Sequence, residues 1–218
     1  LWKGRMPFKT PNKTSEYIRS ILPCEKDDAL RAITDYADKH ILPVLLPETA
    51  AFLRQAVTIL KPNKILEIGT SIGYSGHIIL GACKGHLYTI EADEKSADVA
   101  ENFFRKSGYE DRVTLIRGYS NEVIPLMSGE FDFIFMDGPK TRYVEYLPYL
   151  RKLMAERSAI LCDNVLFNGM VSGENDTPKK KATIVVALDK FLRTLTADES
   201  LITSVLPVGD GVSFSITR

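Results

Sequence analysis

The sequence predicts an α/β fold: a mostly parallel sheet with helices on both faces, extra helices at the amino-terminal side, and an antiparallel last strand. Three observations predict it. From Lys64 onward, five short apolar runs alternate with stretches of helical periodicity, the pattern of strand–helix–strand crossovers. Two further strand-like runs near the end are joined only by Pro207-Val-Gly-Asp-Gly211, too short for a crossover, so they form an antiparallel hairpin. Several runs stop abruptly in oxygen-bearing side chains, as strands do where their carboxyl ends converge on a ligand crevice.

The elements follow in order. Thr14 or Ser15 caps a helix carrying Tyr17, Ile18, Ile21 and Leu22, and Asp27 to Ile41 repeats Ala29, Leu30, Ile33, Tyr36 and Ala37 at helical spacing. Pro43 punctuates the chain, and Pro47-Glu48 starts a third helix running to about Leu60. Strands are expected at Ile65–Ile68, Leu87–Ile90, Val113–Ile116, Phe131–Met136 and Ser158–Leu161. Helices are expected at Tyr74–Ala82, Glu94–Lys106, Asn121–Met127, Tyr143–Leu153 and Thr183–Leu195. Leu201–Leu206 and Val212–Thr217 complete a seven-stranded sheet as the hairpin. Gly169 to Lys181 is the long polar loop, placed to act as a lid or to touch a substrate.

The bulk numbers set bounds. A chain of 218 residues fits a single domain over 14–218, with 1–13 as a basic extension carrying Lys3, Arg5, Lys9 and Lys13. Leu1 to Lys13 is short, basic and broken by Pro7 and Pro11, which does not read as a signal peptide. Lys+Arg and Asp+Glu balance at 28 each, so a globally basic nucleic-acid binder is not indicated, although Lys179-Lys180-Lys181 forms a local basic cluster. Cys24, Cys83 and Cys162 share no metal-type spacing, which favours reduced thiols and a cytoplasmic location. Cys162 reads as a small core residue at a strand end rather than a nucleophile. His40, His77 and His86 are scattered and form no ligand pair.

The most informative stretch is Phe131-Asp-Phe-Ile-Phe-Met-Asp137-Gly-Pro-Lys140, echoed by Ala159-Ile-Leu-Cys-Asp163-Asn164. Asp137, Asp163 and Asn164 at adjacent strand ends make an all-oxygen site suited to a hard cation such as Mg²⁺. Lys140, three residues beyond the first carboxylate, reaches the same pocket. At the other end of the crevice, Glu67-Ile-Gly69-Thr-Ser-Ile-Gly73-Tyr-Ser75 follows the first strand and opens a helix. A dinucleotide fingerprint requires glycine where Ser71 stands, so a pyrophosphate cradle is poorly supported. Glu91 ends the second strand, where an acid accepts hydrogen bonds from ribose hydroxyls, and Ser120 after the third lies beside an adenine. An adenosine without a diphosphate fits S-adenosylmethionine better than NAD.

These residues resemble the cation-dependent class I O-methyltransferases, the family of catechol and caffeoyl-CoA O-methyltransferases. The likeness is carried by Leu66-Glu-Ile-Gly-Thr, Gly73-Tyr-Ser75, Asp163-Asn164-Val-Leu and Gly209-Asp-Gly211. The resemblance implies a Rossmann-like seven-stranded fold, S-adenosylmethionine as cofactor, and a divalent cation on Asp137, Asp163 and Asn164. It implies donor contacts from Glu67, Gly69, Ser75, Glu91 and Ser120, with Asp137 shared between donor and metal. Asp137-Gly-Pro-Lys140-Thr-Arg-Tyr143 is similar to the catechol enzyme's D-H-W-K-D-R-Y, which implies Lys140 as the general base. The chain departs from the D-A-D-K of many bacterial and plant members at Pro139, and Gly138 replaces a larger residue that walls the donor.

Within the family, the chain looks most like the bacterial tRNA 5-hydroxyuridine O-methyltransferases, which make 5-methoxyuridine at the wobble base. Ile65 to Ser75, Tyr88-Thr-Ile-Glu91, Asp163 to Gly169 and Pro207 to Gly211 carry that likeness. It implies the tRNA anticodon region as partner, with phosphate contacts from the two basic clusters; the alternative is a small catechol-like substrate. Both offer a hydroxyl beside a second oxygen, so the metal site alone does not choose between them. A homodimer through the amino-terminal helices is a further implication of the family.

Overall fold

The computed structural model describes residues 13–218. The basic extension expected over 1–13 therefore lies outside the described residues, apart from Lys13. Three helices come first: α1 (Lys13–Ile21), α2 (Asp28–His40) and α3 (Pro47–Leu60). Asp27 caps α2 by accepting hydrogen bonds from the amides of Ala29 at 2.8 Å and Leu30 at 3.1 Å. Leu30, Ile33 and Ala37 form its buried stripe. Pro47 opens α3, where its missing N–H costs nothing. No residue of α1 is buried; the helix is tied to α3 through Arg19, whose guanidinium donates to both oxygens of Glu48.

The strands and helices then alternate as β1 (Lys64–Ile68), α4 (Tyr74–Ala82), β2 (His86–Glu91), α5 (Glu94–Lys106), β3 (Val113–Arg117), α6 (Ser120–Val123), β4 (Phe131–Met136), α7 (Tyr143–Leu153), β5 (Met154–Asp163) and α8 (Ala182–Thr196). The hairpin is β6 (Leu201–Leu206) and β7 (Val212–Thr217). The sheet has seven strands in the order β3-β2-β1-β4-β5-β7-β6. β7 runs antiparallel to both of its neighbours, inserted between β5 and β6. The expected mostly parallel, Rossmann-like sheet with an antiparallel last strand is what the chain forms.

Both faces of the central strands are covered, which is why they read as continuous apolar runs. Leu66, Ile68, Ile134, Met136, Ile160 and Cys162 pack with Tyr143, Leu150, Leu188 and Phe191 on one side. Ile65, Phe133, Phe135 and Leu161 pack with Leu53, Val57, Ile78 and Ile79 on the other. Phe131 breaks the alternation and joins the face of Ile134, because the β4–β5 register shifts between Phe131 and Phe133. Asp132 within that irregularity accepts from the amides of Asn63 and Lys64 and so fixes the start of β1.

Most element ends fall within two residues of the sequence reading, and three readings differ from the structure. Lys13 already belongs to α1, so Thr14 and Ser15 lie inside that helix and do not cap it. β5 begins at Met154 rather than Ser158, because Met154 pairs with Phe131 across the shifted register. The helix expected over Asn121–Met127 is a single turn of α6 followed by a tighter turn at Ile124–Leu126, where Pro125 lacks the N–H to continue it. Cys162 is buried, as its reading as a core residue requires, and burial pushes its thiol up to about 12. Among the described residues, no helix is long and apolar enough to cross a membrane.

The sheet order reverses between β1 and β4, and a doubly wound sheet opens a crevice at that point. Gly69 follows β1, Glu91 ends β2, Ser120 follows β3, Asp137 follows β4 and Asp163 ends β5. The topology therefore brings five distant segments to one rim.

Candidate active site

A cavity of about 730 Å³ occupies that crevice, a size typical of small-molecule and cofactor sites. Gly69, Ser75, Glu91, Ser120, Asp137, Lys140, Asp163 and Asn164 all line it. Glu67 does not, although the sequence reading placed it among the donor contacts.

The glycine-rich turn is built for close approach. Gly69 has φ +97°, and a Cβ there would stand 2.6 Å from the carbonyl oxygen of Asp137. Only glycine lets the ends of β1 and β4 meet so closely. Gly73, at φ +87°, precedes the first turn of α4, whose amides open toward the cavity. The Glu91 carboxylate is fixed by two backbone donors, Ser71 N–H at 2.7 Å and Asp93 N–H at 2.8 Å. Each oxygen keeps a further lone pair, enough to accept a pair of vicinal hydroxyls.

Glu67 lies beneath this turn, 0% exposed. Its oxygens accept hydrogen bonds from Ser75 Oγ at 2.5 Å and Thr89 Oγ1 at 2.6 Å. When Glu67 is ionised and Thr89 donates to it, Thr70 is the donor in its 2.5 Å contact with Thr89. A relay thus runs from Thr70 to Ser75, both on the cavity wall, through a carboxyl that never reaches it. Burial raises the Glu67 carboxyl to about 7, against the opposing pull of those two hydroxyls. Its structural role is to orient Ser75.

The opposite end carries the acids and the lysine. Asp163 is 2% exposed; burial first, and then the neighbouring Asp137 carboxylate, push its carboxyl well above the usual range. Lys140 Nζ lies 2.5 Å from Asp137 Oδ1 and 3.0 Å from the Tyr143 hydroxyl. Burial works against the charge on Lys140, yet Asp137, Tyr143 and Asp163 together outweigh it and hold the ammonium above its ordinary range. In this state Lys140 keeps its proton. Tyr143, fully buried, hydrogen-bonds through its hydroxyl to the carbonyls of Met136 at 3.1 Å and Asp163 at 3.3 Å. It ties the ends of β4 and β5 together beneath the two carboxylates.

Among the described residues, no group of three or more His, Cys, Asp or Glu side chains stands ready to hold a metal. The donor set here is two carboxylates and an amide, all oxygen, with the Asp163 carboxyl driven toward its neutral form by burial first and then by the neighbouring Asp137 carboxylate. That chemistry fits a hard divalent cation, with substrate or water completing the coordination.

The remaining wall includes individual residues that the sequence reading did not assign to the site. Arg19, 16% exposed and paired with Glu48 at 7%, lines the cavity together with Leu45, Tyr119, Asn168 and Asp210. Phe167 also lines it, and Lys181 Nζ sits 5.2 Å from the centre of its ring. The lysine cluster therefore reaches the cavity rim through Phe167. Asp210 lies in the Gly209-Asp-Gly211 motif, which was visible in the sequence; Arg19 carried no local signal.

Comparison with known proteins bears on the family and the fold. The family model described as O-methyltransferase matches residues 24–217. A catechol O-methyltransferase of Niastella koreensis is 33% identical over 169 residues, covering 74% of this chain and 76% of the relative. A caffeoyl-CoA O-methyltransferase of Populus kitakamiensis is 28% identical over 174 residues, covering 74% and 73%. The crystal structure of an O-methyltransferase from Bacillus cereus in complex with SAH superposes with a TM-score of 0.81 at 26% identity, covering 94% of this chain and 97% of that one.

Proposed function

The chain belongs to the O-methyltransferase family, and on that premise we propose that this S-adenosylmethionine-dependent enzyme methylates, with a divalent cation, a hydroxyl adjacent to a second oxygen. The observation that carries the reading is the convergence of Asp137, Asp163, Asn164 and Lys140 in the cavity that also holds the glycine turn and Glu91.

Glu91 receives the ribose hydroxyls, and the Gly69 turn admits the donor's backbone-side atoms. Ser75, oriented by Glu67, and Ser120 offer hydroxyls along the same wall. The bound donor supplies an electrophilic methyl group. Asp137, Asp163 and Asn164 would hold the cation, which when bound would supply a Lewis acid for the acceptor hydroxyl. Lys140, held as the ammonium by Asp137, would stabilise the oxyanion as it forms; to act as base it must first release that proton to solvent, after which the free amine can accept the hydroxyl's proton. Tyr143 keeps β4 and β5 in register, so that the lysine and both acids face one point. Positioning and electrostatics are the protein's contribution; the donor carries the reactivity.

For the acceptor, wobble 5-hydroxyuridine in tRNA is the proposed substrate. Its O5 and O4 form the required oxygen pair, and the reading is supported by Lys181, which lies over the Phe167 ring at the cavity rim and could meet a backbone phosphate there. A catechol-type small molecule is the second reading, favoured by the Niastella koreensis relative. Labelled S-adenosylmethionine offered with tRNA lacking wobble methylation, and separately with a simple catechol, separates them. Cation-dependent label in 5-methoxyuridine supports tRNA. Label on catechol alone moves the function to small-molecule metabolism, and label on neither removes both substrates.

A further inference from the structure

We infer that Asp210, at the tip of the β6–β7 hairpin, is a positioning residue for the proposed cation site: its carboxylate holds the 164–168 loop in the conformation that lets Asn164 line the cavity beside Asp137 and Asp163. The catalytic meaning of this role rests on the cation reading above. The geometric claim stands separately.

Asn164, Phe167 and Asn168 all have left-handed backbones, with φ of 57°, 47° and 56°. Left-handed backbone is disfavoured for an L-residue, least for asparagine and more for a bulky ring. Three such residues within five positions do not persist unless the surroundings hold them. What holds them is the hairpin tip. Val165 N–H donates to Gly211 O at 3.0 Å and Leu166 N–H to Asp210 O at 3.1 Å. The Asn168 N–H donates to Asp210 Oδ1.

Gly211 is pressed so closely on the loop that a Cβ would lie 2.3 Å from Leu166 Cγ. Asn175 adds a side-chain bond to Asn168 O at 2.7 Å from the far side. The first two bonds use Asp210 and Gly211 backbone and survive a change of side chain. The third is the Asp210 side chain's own, and it falls on the last left-handed residue of the loop. Asp210 also lines the cavity, so its charge is a competing explanation that the test must separate from its geometry.

Asp210→Asn keeps an oxygen acceptor and removes the charge, whereas Asp210→Ala removes both. Asp210→Ser, too short to reach, replaces Ala if that variant does not fold. Amide hydrogen exchange over 165–168, without added cation, reads the loop; calorimetric titration with Mn²⁺ reads the site; S-adenosylhomocysteine affinity controls for the donor end. The expected result for Ala is at least tenfold faster exchange at Asn168 and Mn²⁺ binding weakened about 10–100-fold, as for other residues that orient metal ligands. Donor-product affinity stays within twofold, and Asn restores both loop and site to near wild type. Wild-type exchange in the Ala variant overturns the proposal, as does unaltered Mn²⁺ affinity with a loosened loop. An Asn variant that falls as far as Ala also overturns it, in favour of charge. If the wild-type protein binds no Mn²⁺, the cation reading fails, and the exchange data still decide whether Asp210 holds the loop.

Discussion

Replacing Glu67 with Gln removes one charge from the centre of the molecule and leaves its shape almost unchanged. The carboxyl is fully buried, and its value is raised from an ordinary 4.5 to about 7 by burial above all. The folded chain therefore holds this proton more tightly than the unfolded chain does. By linkage, that contribution to stability is fully present below pH 4.5 and is lost as the pH rises through about 7. The interval from 4.5 to about 7, at about 1.4 kcal/mol per pH unit, amounts to about 3 kcal/mol. Gln has no proton to lose, and its carbonyl and amide can still serve the Ser75 and Thr89 hydroxyls. For a chain of this size, each kcal/mol moves the midpoint by about 2–4 °C. Between pH 5 and pH 8 about 2.5 kcal/mol of this is lost, so thermal unfolding of both proteins should show wild type losing about 5–10 °C relative to Glu67→Gln over that range. The comparison cancels other titrations, including that of His77, whose buried ring, held below its usual value, acts in the opposite direction. Parallel midpoint curves would refute the buried, proton-holding role of Glu67.

Other consequences test the remaining parts of the site. Asp163→Asn should raise stability at pH 8 by roughly 1–3 kcal/mol, since it removes a buried charge, while abolishing cation-stimulated turnover and sparing S-adenosylhomocysteine binding. Calorimetry and unfolding read the three effects together, and retained turnover removes Asp163 from the site. Lys140→Ala should lower turnover about 10²–10⁴-fold with donor affinity nearly unchanged; a loss confined to donor affinity contradicts its assigned role. Gly69→Ala forces a Cβ to 2.6 Å from the Asp137 carbonyl at φ +97°. It should cost about 1–3 kcal/mol and at least a tenfold loss in S-adenosylhomocysteine affinity, and a wild-type titration would show that the turn is not the donor cradle.

Most of the fold is legible in the sequence because its rules are local. Period-2 and period-3.6 runs and Pro47 at a helix start all act within a few residues. The connection 207–211 correctly announces an antiparallel hairpin, but its length does not say that β7 enters beside β5 and leaves β6 at the edge. That order is set by which faces remain to be covered. The early start of β5 depends on Met154 meeting Phe131, a pairing with no local pattern in Met-Ala-Glu-Arg.

The site divides in the same way. Asp137, Lys140, Asp163, Asn164 and Glu91 are readable because strand ends in a doubly wound sheet meet at one crevice. Glu67 was assigned through resemblance, and the structure shows a buried strand position acting through Ser75. Arg19 and Asp210 reach the cavity from an amino-terminal helix and a distant hairpin, and only tertiary packing brings them there.

The most direct test of the account is a crystal structure grown with S-adenosylhomocysteine and Mn²⁺, read by anomalous scattering. The account predicts one anomalous peak within the hard-cation coordination range, about 2.0–2.6 Å, of oxygens of Asp137, Asp163 and Asn164, with Lys140 displaced from its contact with Asp137 and facing the open positions. A donor-filled cavity with no peak, and Lys140 still paired to Asp137, would contradict it.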